Sequence, residues 1–226
     1  RYGDTVILAS ACYKKEPPTT YQDFFPLTVD YRELAYAAGK IPGGFFKREG
    51  KPRDKETLTC RLIDRPIRPL FPPNFRNETQ IVEFLMSTDM ENESDVLALV
   101  AASAALHVSD IPFLGPIGAC RVGKLNGEFV LNPPMNKEAE ADMWLVYVGI
   151  GDKVMTIAGQ ARDASPEDID KGWELAAPVI RQTIEMQEEL RKAVGKPKLV
   201  MEKPLVPAEL EAEVRRIAEA KVKAAN

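Results

Sequence analysis

Histidine and cysteine, which supply most protein metal ligands and all disulfides, are scarce in this 226-residue sequence. The only histidine, His107, ends the apolar run LALVAASAALH, where it can be a structural core residue or a ligand without a second histidine beside it. Cys12, Cys60 and Cys120 are far apart and form no CxxC pair. This spacing indicates buried thiols rather than a zinc site or a disulfide framework.

Long hydrophobic runs are absent as well. No stretch reaches the roughly 18 apolar residues that a membrane span requires, and no signal peptide precedes the first predicted strand. We therefore expect a cytoplasmic protein without a membrane partner. The sequence starts with Arg1 rather than Met, inside a predicted strand, so we also expect it to be part of a longer protein.

The formal net charge of −4 argues on its own against a nucleic-acid partner, but the charges are unevenly distributed. Residues 47–76 contain nine Lys/Arg and four Asp/Glu, which leaves 21 Lys/Arg and 30 Asp/Glu for the rest of the chain. A basic surface on an acidic body is typical of a protein that binds a localised anionic ligand. The alternative is a charged loop that is simply solvated.

Hydrophobic periodicity predicts an α+β core domain over residues 1–164 and a helical segment over 165–226. Two core helices are predicted, one from Asp54 as N-cap to about residue 65 and one over 95–107 with Ser94 as cap. Ser165-Pro166 is a typical helix start, and that helix should reach about residue 194, before a linker over 204–208 and a last helix. The predicted strands are 6–13, 27–36, 81–87, 117–124, 128–131, 143–150 and 154–161, with antiparallel hairpins in the second half.

Phe45 and Phe46 are the first candidate ligand contacts. A pair of phenylalanines usually belongs to the core, but this pair lies between Gly43-Gly44 and the cations Lys47 and Arg48. Because this stretch is too polar and glycine-rich for a buried strand, at least one ring should be exposed. An exposed ring beside a cation suits single-stranded nucleic acid, since bases stack on the ring and phosphates pair with the cation.

Three arginines at helical spacing follow this loop. Arg61, Arg65 and Arg68 fall within about 60° of one another on a helical projection, opposite Leu62, Ile63, Ile67 and Leu70. Such a row can bind phosphates through bidentate contacts, although Asp64 and Glu56 can instead hold some of the arginines in ion pairs. For Arg65 both roles stay open, and for Arg61 and Arg68 the ligand role is favoured. Pro66 should kink or loosen the helix.

One dense carboxylate group is present, formed by Asp89, Glu91, Glu93 and Asp95. It can be a metal site, but a loop and helix N-terminus, where carboxylates complement the helix dipole, is the simpler interpretation.

Several of these segments together resemble the first RNase PH-like core domain of the bacterial polynucleotide phosphorylase family. They are Val29-Asp30-Tyr31, AAGKIPGGFFKREG at 37–50 and RLIDRPIRPLF at 61–71. The resemblance covers about residues 1–160, and its FFKREG…RLIDRPIRPLF block is highly specific. Residues 166–226 are similar to the start of the all-helical linker domain of that family.

This resemblance implies an RNase PH-like (ribosomal protein S5 domain 2-like) mixed sheet with packed helices. It also implies a homotrimeric, phosphate-dependent 3′→5′ exoribonuclease that degrades mRNA, releases nucleoside diphosphates and can take part in an RNA-degradation assembly. Phe45, Phe46, Lys47 and Arg48 would grip single-stranded RNA, and the three arginines would line its path. Catalytic residues, the phosphate co-substrate site and Mg²⁺ belong in that family to a second core domain, so no catalytic residue is assigned here. A stand-alone RNA-binding scaffold and a small-molecule phosphate enzyme are the alternatives.

Overall fold

The computed structural model describes residues 1–16, 18, 20, 22–201 and 207–225, and it has the α+β architecture expected from the sequence. Its first sheet contains β1 (Val6–Tyr13), β2 (Leu27–Arg32) and, between them, β3 (Thr79–Ser87). β1 is antiparallel to β3, whereas β2 is parallel to it. The strand predicted over 27–36 is too long, because β2 ends at Arg32 and Ala35–Ala38 forms a 3-10 turn.

The second sheet is antiparallel throughout, which confirms the predicted hairpins. Its strand order is β5 (Glu128–Leu131), β4 (Gly118–Leu125), β6 (Met143–Ile150) and β7 (Lys153–Ala161). Asn126 and Gly127, both with positive φ, form the tight turn between β4 and β5. Two-residue turns of this kind match the right-handed twist of paired strands, so the register follows from local sequence.

Four helices pack on or follow these sheets in the described part of the chain: α1 (Asp54–Ile67), α2 (Ser94–Val108), α3 (Pro166–Val194) and α4 (Ala208–Ala225). The start of α3 is confirmed, since Ser165 Oγ accepts a hydrogen bond from the Asp168 N–H. The caps predicted for the other core helices are wrong by one residue. Arg53 precedes α1 and Glu93 precedes α2, and neither makes a side-chain cap hydrogen bond.

α1 continues through Pro66 and tightens into a 3-10 turn at Arg68–Leu70, so the expected loosening comes slightly later than Pro66. Residues 204–206 of the expected linker lie outside the described residues. None of the helices in the described part combines the length and apolar character that a bilayer-spanning segment needs.

The first sheet, α1 and α2 enclose the larger hydrophobic core, and β4, β6 and α3 enclose a smaller one. His107 is fully buried at the α2–α3 contact, where its Nε2 lies 3.2 Å from Glu188 Oε1, which supports its structural interpretation. All three cysteines are free. The prediction of a buried thiol is confirmed for Cys120 and wrong for Cys12, because Cys12 lies on the outward-facing side of β1.

Glu83 is an unexpected member of the larger core. It lies at the centre of β3, is 0% exposed, and neither carboxylate oxygen has a hydrogen-bond partner. Burial raises the pKa of this carboxyl to about 9, so it is protonated at neutral pH.

Candidate nucleic-acid interface

Phe45 and Phe46 stand at the tip of the loop between the Ala35–Ala38 turn and α1, and both rings are exposed, by 94% and 74%. The expectation that at least one ring is exposed is confirmed. The rings meet edge to face, with centroids 5.5 Å apart and an interplanar angle of 86°. Two rings in this arrangement cannot lie parallel to the same stack of bases, so each ring offers its own face.

Local backbone conformation explains why the loop presents its rings outward. Gly44 has φ +78°, in the left-handed region that glycine adopts without strain, and Lys47 also has a positive φ of 46°. These residues reverse the chain on either side of the two rings. The Arg48 guanidinium carbon lies 5.2 Å from the Phe46 ring centroid, a cation–π contact that occupies part of that ring. Phe45 therefore offers the more accessible ring.

The base of the loop is fixed by Glu49, whose Oε1 accepts a hydrogen bond of 2.7 Å from the Ala35 N–H. Glu56 then joins the start of α1 to the end of β2. Its two oxygens accept hydrogen bonds from the N–H groups of Arg53 (2.6 Å) and Glu33 (2.8 Å). Burial disfavours the charged form of Glu56, but these backbone donors outweigh it and lower its pKa. The loop therefore projects from a fixed, ionised anchor.

The three arginines separate into two groups. Arg61 and Arg65 are exposed on α1, and neither has an ion-pair partner among the described residues. The opposite face is apolar as predicted, with Ile63 and Ile67 fully buried. Arg68 is half-buried and differs from both.

Each of the three guanidinium nitrogens of Arg68 donates to a protein group. The guanidinium pairs with the Asp64 carboxylate at 2.9 Å and donates to the carbonyl oxygens of Phe25 (2.8 Å) and Leu27 (3.1 Å). The structure thus gives Arg68 a structural role in joining α1 to the start of β2. The ligand contact expected for Arg68 would require these bonds to break.

The acidic group around residues 89–95 separates into individual structural contacts. Asp89 accepts hydrogen bonds from the N–H groups of Asn92 and Glu91, and these bonds lower its pKa. Glu93 pairs with Lys55 at 3.1 Å, and Asp95 pairs with the guanidinium of Arg121. Within the described ranges, no group of three or more His, Cys, Asp or Glu is placed to hold a metal ion.

Residues 1–112 match the model of the 3′ exoribonuclease family, domain 1, and residues 115–178 match that of domain 2 of the same family. The two matches together span most of the chain.

The chain belongs to the 3′ exoribonuclease family.

Curated relatives in this family support the assignment. The chain is 48% identical over 223 residues to the polyribonucleotide nucleotidyltransferase of Geobacter sulfurreducens, covering 99% of this chain and 32% of that protein. It is 49% identical over 229 residues to the protein of the same name from Parvibaculum lavamentivorans, covering 99% of this chain and 30% of that protein. The chain therefore spans about a third of the length of the curated relatives it matches.

A solved structure shows the same fold. Rice (Oryza sativa) Rrp46 matches with a TM-score of 0.65 at 16% sequence identity, over 84% of this chain and 85% of that one. The mixed sheets and packed helices are thus an RNase PH-like fold, as the sequence predicted.

Sequence reasoning missed a second group of residues of this family member, behind the loop. Arg53 donates to the Glu33 carbonyl oxygen at 3.0 Å, and Lys55 bridges Glu33 (3.2 Å) and Glu93 (3.1 Å). These pairs form one wall of a cleft of about 570 Å³ whose other wall is the loop itself. The charges of 47–76 were the only available signal, because Glu33 and Glu93, which pair with Lys55, lie outside that stretch, directly after β2 and directly before α2.

Proposed function

We propose that this chain is the RNA-guiding first part of a phosphate-dependent 3′→5′ exoribonuclease, a polyribonucleotide nucleotidyltransferase. In that reaction orthophosphate attacks the terminal RNA linkage, a nucleoside diphosphate leaves, and the reverse reaction extends RNA. Family membership and 48% identity to proteins of that name support this activity for the longer protein. Residues 1–164 would form the first core domain, and 165–226 would begin the helical linker domain.

The exposed pair Phe45 and Phe46 carries the proposal. Phenylalanine side chains are usually buried, but both of these rings are exposed and leave an apolar surface in contact with water. A base that stacks on such a ring contributes about 1–3 kcal/mol to binding, whatever its identity. Lys47 and Arg48 beside the rings would neutralise the phosphates that connect successive bases.

Arg61 and Arg65 would extend this contact along α1. Both are exposed, and both lack a carboxylate partner in the described part of the chain, so their guanidinium groups are available for phosphate oxygens. Aromatic rings that stack on bases, together with cations that pair with the phosphate backbone, suit single-stranded RNA and do not discriminate between base sequences. The loop would hold the RNA while the residues that break the linkage act elsewhere.

Mg²⁺ does not fit the described residues of this chain, among which no group of three or more His, Cys, Asp or Glu is placed to hold a metal ion. Three of the four carboxylates in the dense acidic group are held by Asn92, Lys55 and Arg121, so the group leaves no set of oxygens that converge on a cation. In the longer protein Mg²⁺ and the phosphate co-substrate would be held by a second RNase PH-like core, distinct from residues 1–164, and the whole would form a cytoplasmic homotrimer that degrades mRNA, alone or in an RNA-degradation assembly.

Two assays on the 226-residue chain test the proposal. The chain should bind a labelled oligo(A) weakly, and it should release no ADP from oligo(A) in the presence of phosphate and Mg²⁺. ADP release by the pure chain would overturn the assignment of catalysis to a second domain. Failure to bind oligo(A) at low salt would overturn the RNA-guiding role.

A further inference from the structure

The cleft behind the loop has no role in the function proposed above. It has a volume of about 570 Å³ and lies between the Ala35–Ala38 turn, the loop of residues 40–51, the start of α1 and the residues that follow β3. A volume of this order is typical of small-molecule sites. The rings of Phe45 and Phe46 do not line it, and of the residues proposed to contact RNA only Arg48 does.

The inner wall of the cleft carries little net charge. Glu33 and Glu56 face it, and both are paired with the neighbouring cations Arg53 and Lys55. Apolar groups complete this wall, among them Ala37, Leu85 and Met90. Such a wall suits a flat, largely uncharged part of a ligand.

The rim of the cleft is cationic. Lys40, Arg48 and Lys51 line it, and no carboxylate lies within ion-pair distance of any of them among the described residues. Glu49 is the one carboxylate of the loop, and it is held by the Ala35 N–H on the inner side. Three unpaired cations grouped on the loop side of the cleft favour a bound anion.

We propose that this cleft is a second phosphate-binding site, which takes a nucleoside diphosphate with its phosphates at the rim and its base against the inner wall. The rim would supply the charge, and the apolar wall would supply the contact for the base. RNA also carries phosphates and bases, so the same chemistry can come from a free nucleotide or from an RNA strand. The experiment has to separate these two sources.

Binding of a fluorescent ADP analogue to the 226-residue chain tests the site. The double substitution Lys40→Ala/Lys51→Ala should weaken ADP binding by about tenfold or more, because each removes one unpaired cation from the rim. Ala38→Trp, which fills the cleft without changing charge, should weaken it by a similar factor. Lys14→Ala/Lys15→Ala is the matched control, since it removes two exposed lysines at the opposite end of the first sheet and should leave ADP binding unchanged.

Competition experiments show whether the cleft binds a free nucleotide or an RNA strand. Pyrophosphate should displace the ADP analogue weakly, adenosine should not, and Phe45→Ala/Phe46→Ala should leave ADP binding intact while it weakens oligo(A) binding. The proposal is overturned if ADP does not bind, or if the control pair weakens it as much as the rim pair. It is also overturned if oligo(A) and ADP compete for a single site and the Lys40→Ala/Lys51→Ala variant weakens the binding of both ligands equally.

The outcome is distinguishable from that of the proposed function. Binding of ADP without any binding of oligo(A) would sustain this site and overturn the RNA-guiding role. Binding of oligo(A) alone would do the reverse. Circular-dichroism melting of each variant verifies that the changes in affinity do not come from unfolding.

Discussion

The loop of residues 40–51 and the interior beneath α1 use the same residue types in opposite ways. In the loop, two phenylalanines are exposed, and Arg48 contacts a ring rather than a carboxylate. In the interior, Phe71 and Phe75 stack at 5.9 Å, and Arg68 is bonded to Asp64 and two carbonyl oxygens. Only the loop leaves its binding capacity unused.

This difference separates the residues that we expect to determine RNA affinity from those that we expect to determine stability. A change in the interior should alter the free energy of unfolding, because its groups contact one another. A change in the loop should alter affinity and leave stability almost untouched, because its groups contact mostly solvent. Substitutions in each region can test this separation.

Glu83→Met should give the largest effect, a gain in stability of about 3 kcal/mol at pH 7. The raised pKa, about 9, means that the folded chain holds a proton that the unfolded chain releases above pH about 4.5. The wild type should therefore lose stability as pH rises, by about 1.4 kcal/mol per unit between those two values. Denaturant unfolding at several pH values measures both effects.

The control for this change is Glu78→Gln, at an exposed position that directly precedes the same strand. It should leave the pH dependence as in the wild type. A Glu83→Met variant that unfolds as easily as the wild type at pH 8 would show that the buried carboxyl finds a partner.

Arg68→Met should destabilise the chain by about 2 kcal/mol, because it leaves Asp64 and two carbonyl oxygens without their donor. Arg65→Met, one helical turn earlier and exposed, is the matched control and should change stability by less than about 0.5 kcal/mol. Thermal and urea unfolding compare the two. Equal effects would remove the distinction between the structural and the exposed arginines.

Phe45→Ala/Phe46→Ala should weaken oligo(A) binding by about 2 kcal/mol, or about 30-fold, through the loss of base stacking. Stability should change little, since both rings are exposed. Fluorescence anisotropy measures the affinity, and Phe24→Ala, which also removes an exposed ring, is the control. A control variant that binds as weakly as the loop variant would contradict a specific role for the loop.

Arg61→Gln/Arg65→Gln should have the smallest effect, a loss of about 1 kcal/mol in RNA affinity at low salt. Its signature is the salt dependence: removing two phosphate contacts should lower the slope of log affinity against log salt by about 1.4 for a single strand. Titrations at about 50 and 200 mM salt measure this slope. An unchanged slope would place both arginines away from the RNA.

The sequence predicted the bounds of those helices and strands that neighbouring residues determine. β1 has the predicted bounds, Val6–Tyr13, because a β-branched run follows a turn, and α3 starts where Ser165 caps it. β2 is shorter than predicted, since the N–H of Glu33 bonds to Glu56 on α1 and turns the chain. That bond joins residues far apart in sequence, so periodicity within β2 carries no trace of it.

The candidate nucleic-acid interface likewise has features that the sequence predicted and features that it did not. Glycines and cations around Phe45 and Phe46 were sufficient to predict an exposed ring. The role of Arg68 was not predictable from a helical projection, because two of its acceptors are backbone oxygens of Phe25 and Leu27. Nor does alternation along β3 reveal that Glu83 points inward, since Val82 and Phe84 on the other face are equally plausible core residues.

Photocrosslinking can show directly whether the loop, rather than the interior beneath α1, contacts RNA. A 4-thiouridine-containing oligonucleotide is crosslinked to the 226-residue chain, and the modified peptides are identified by mass spectrometry. We predict crosslinks within residues 40–51, centred on Phe45, and none at Phe71 or Phe75. Crosslinks confined to the helical segment 166–194, with none in the loop, would contradict the account.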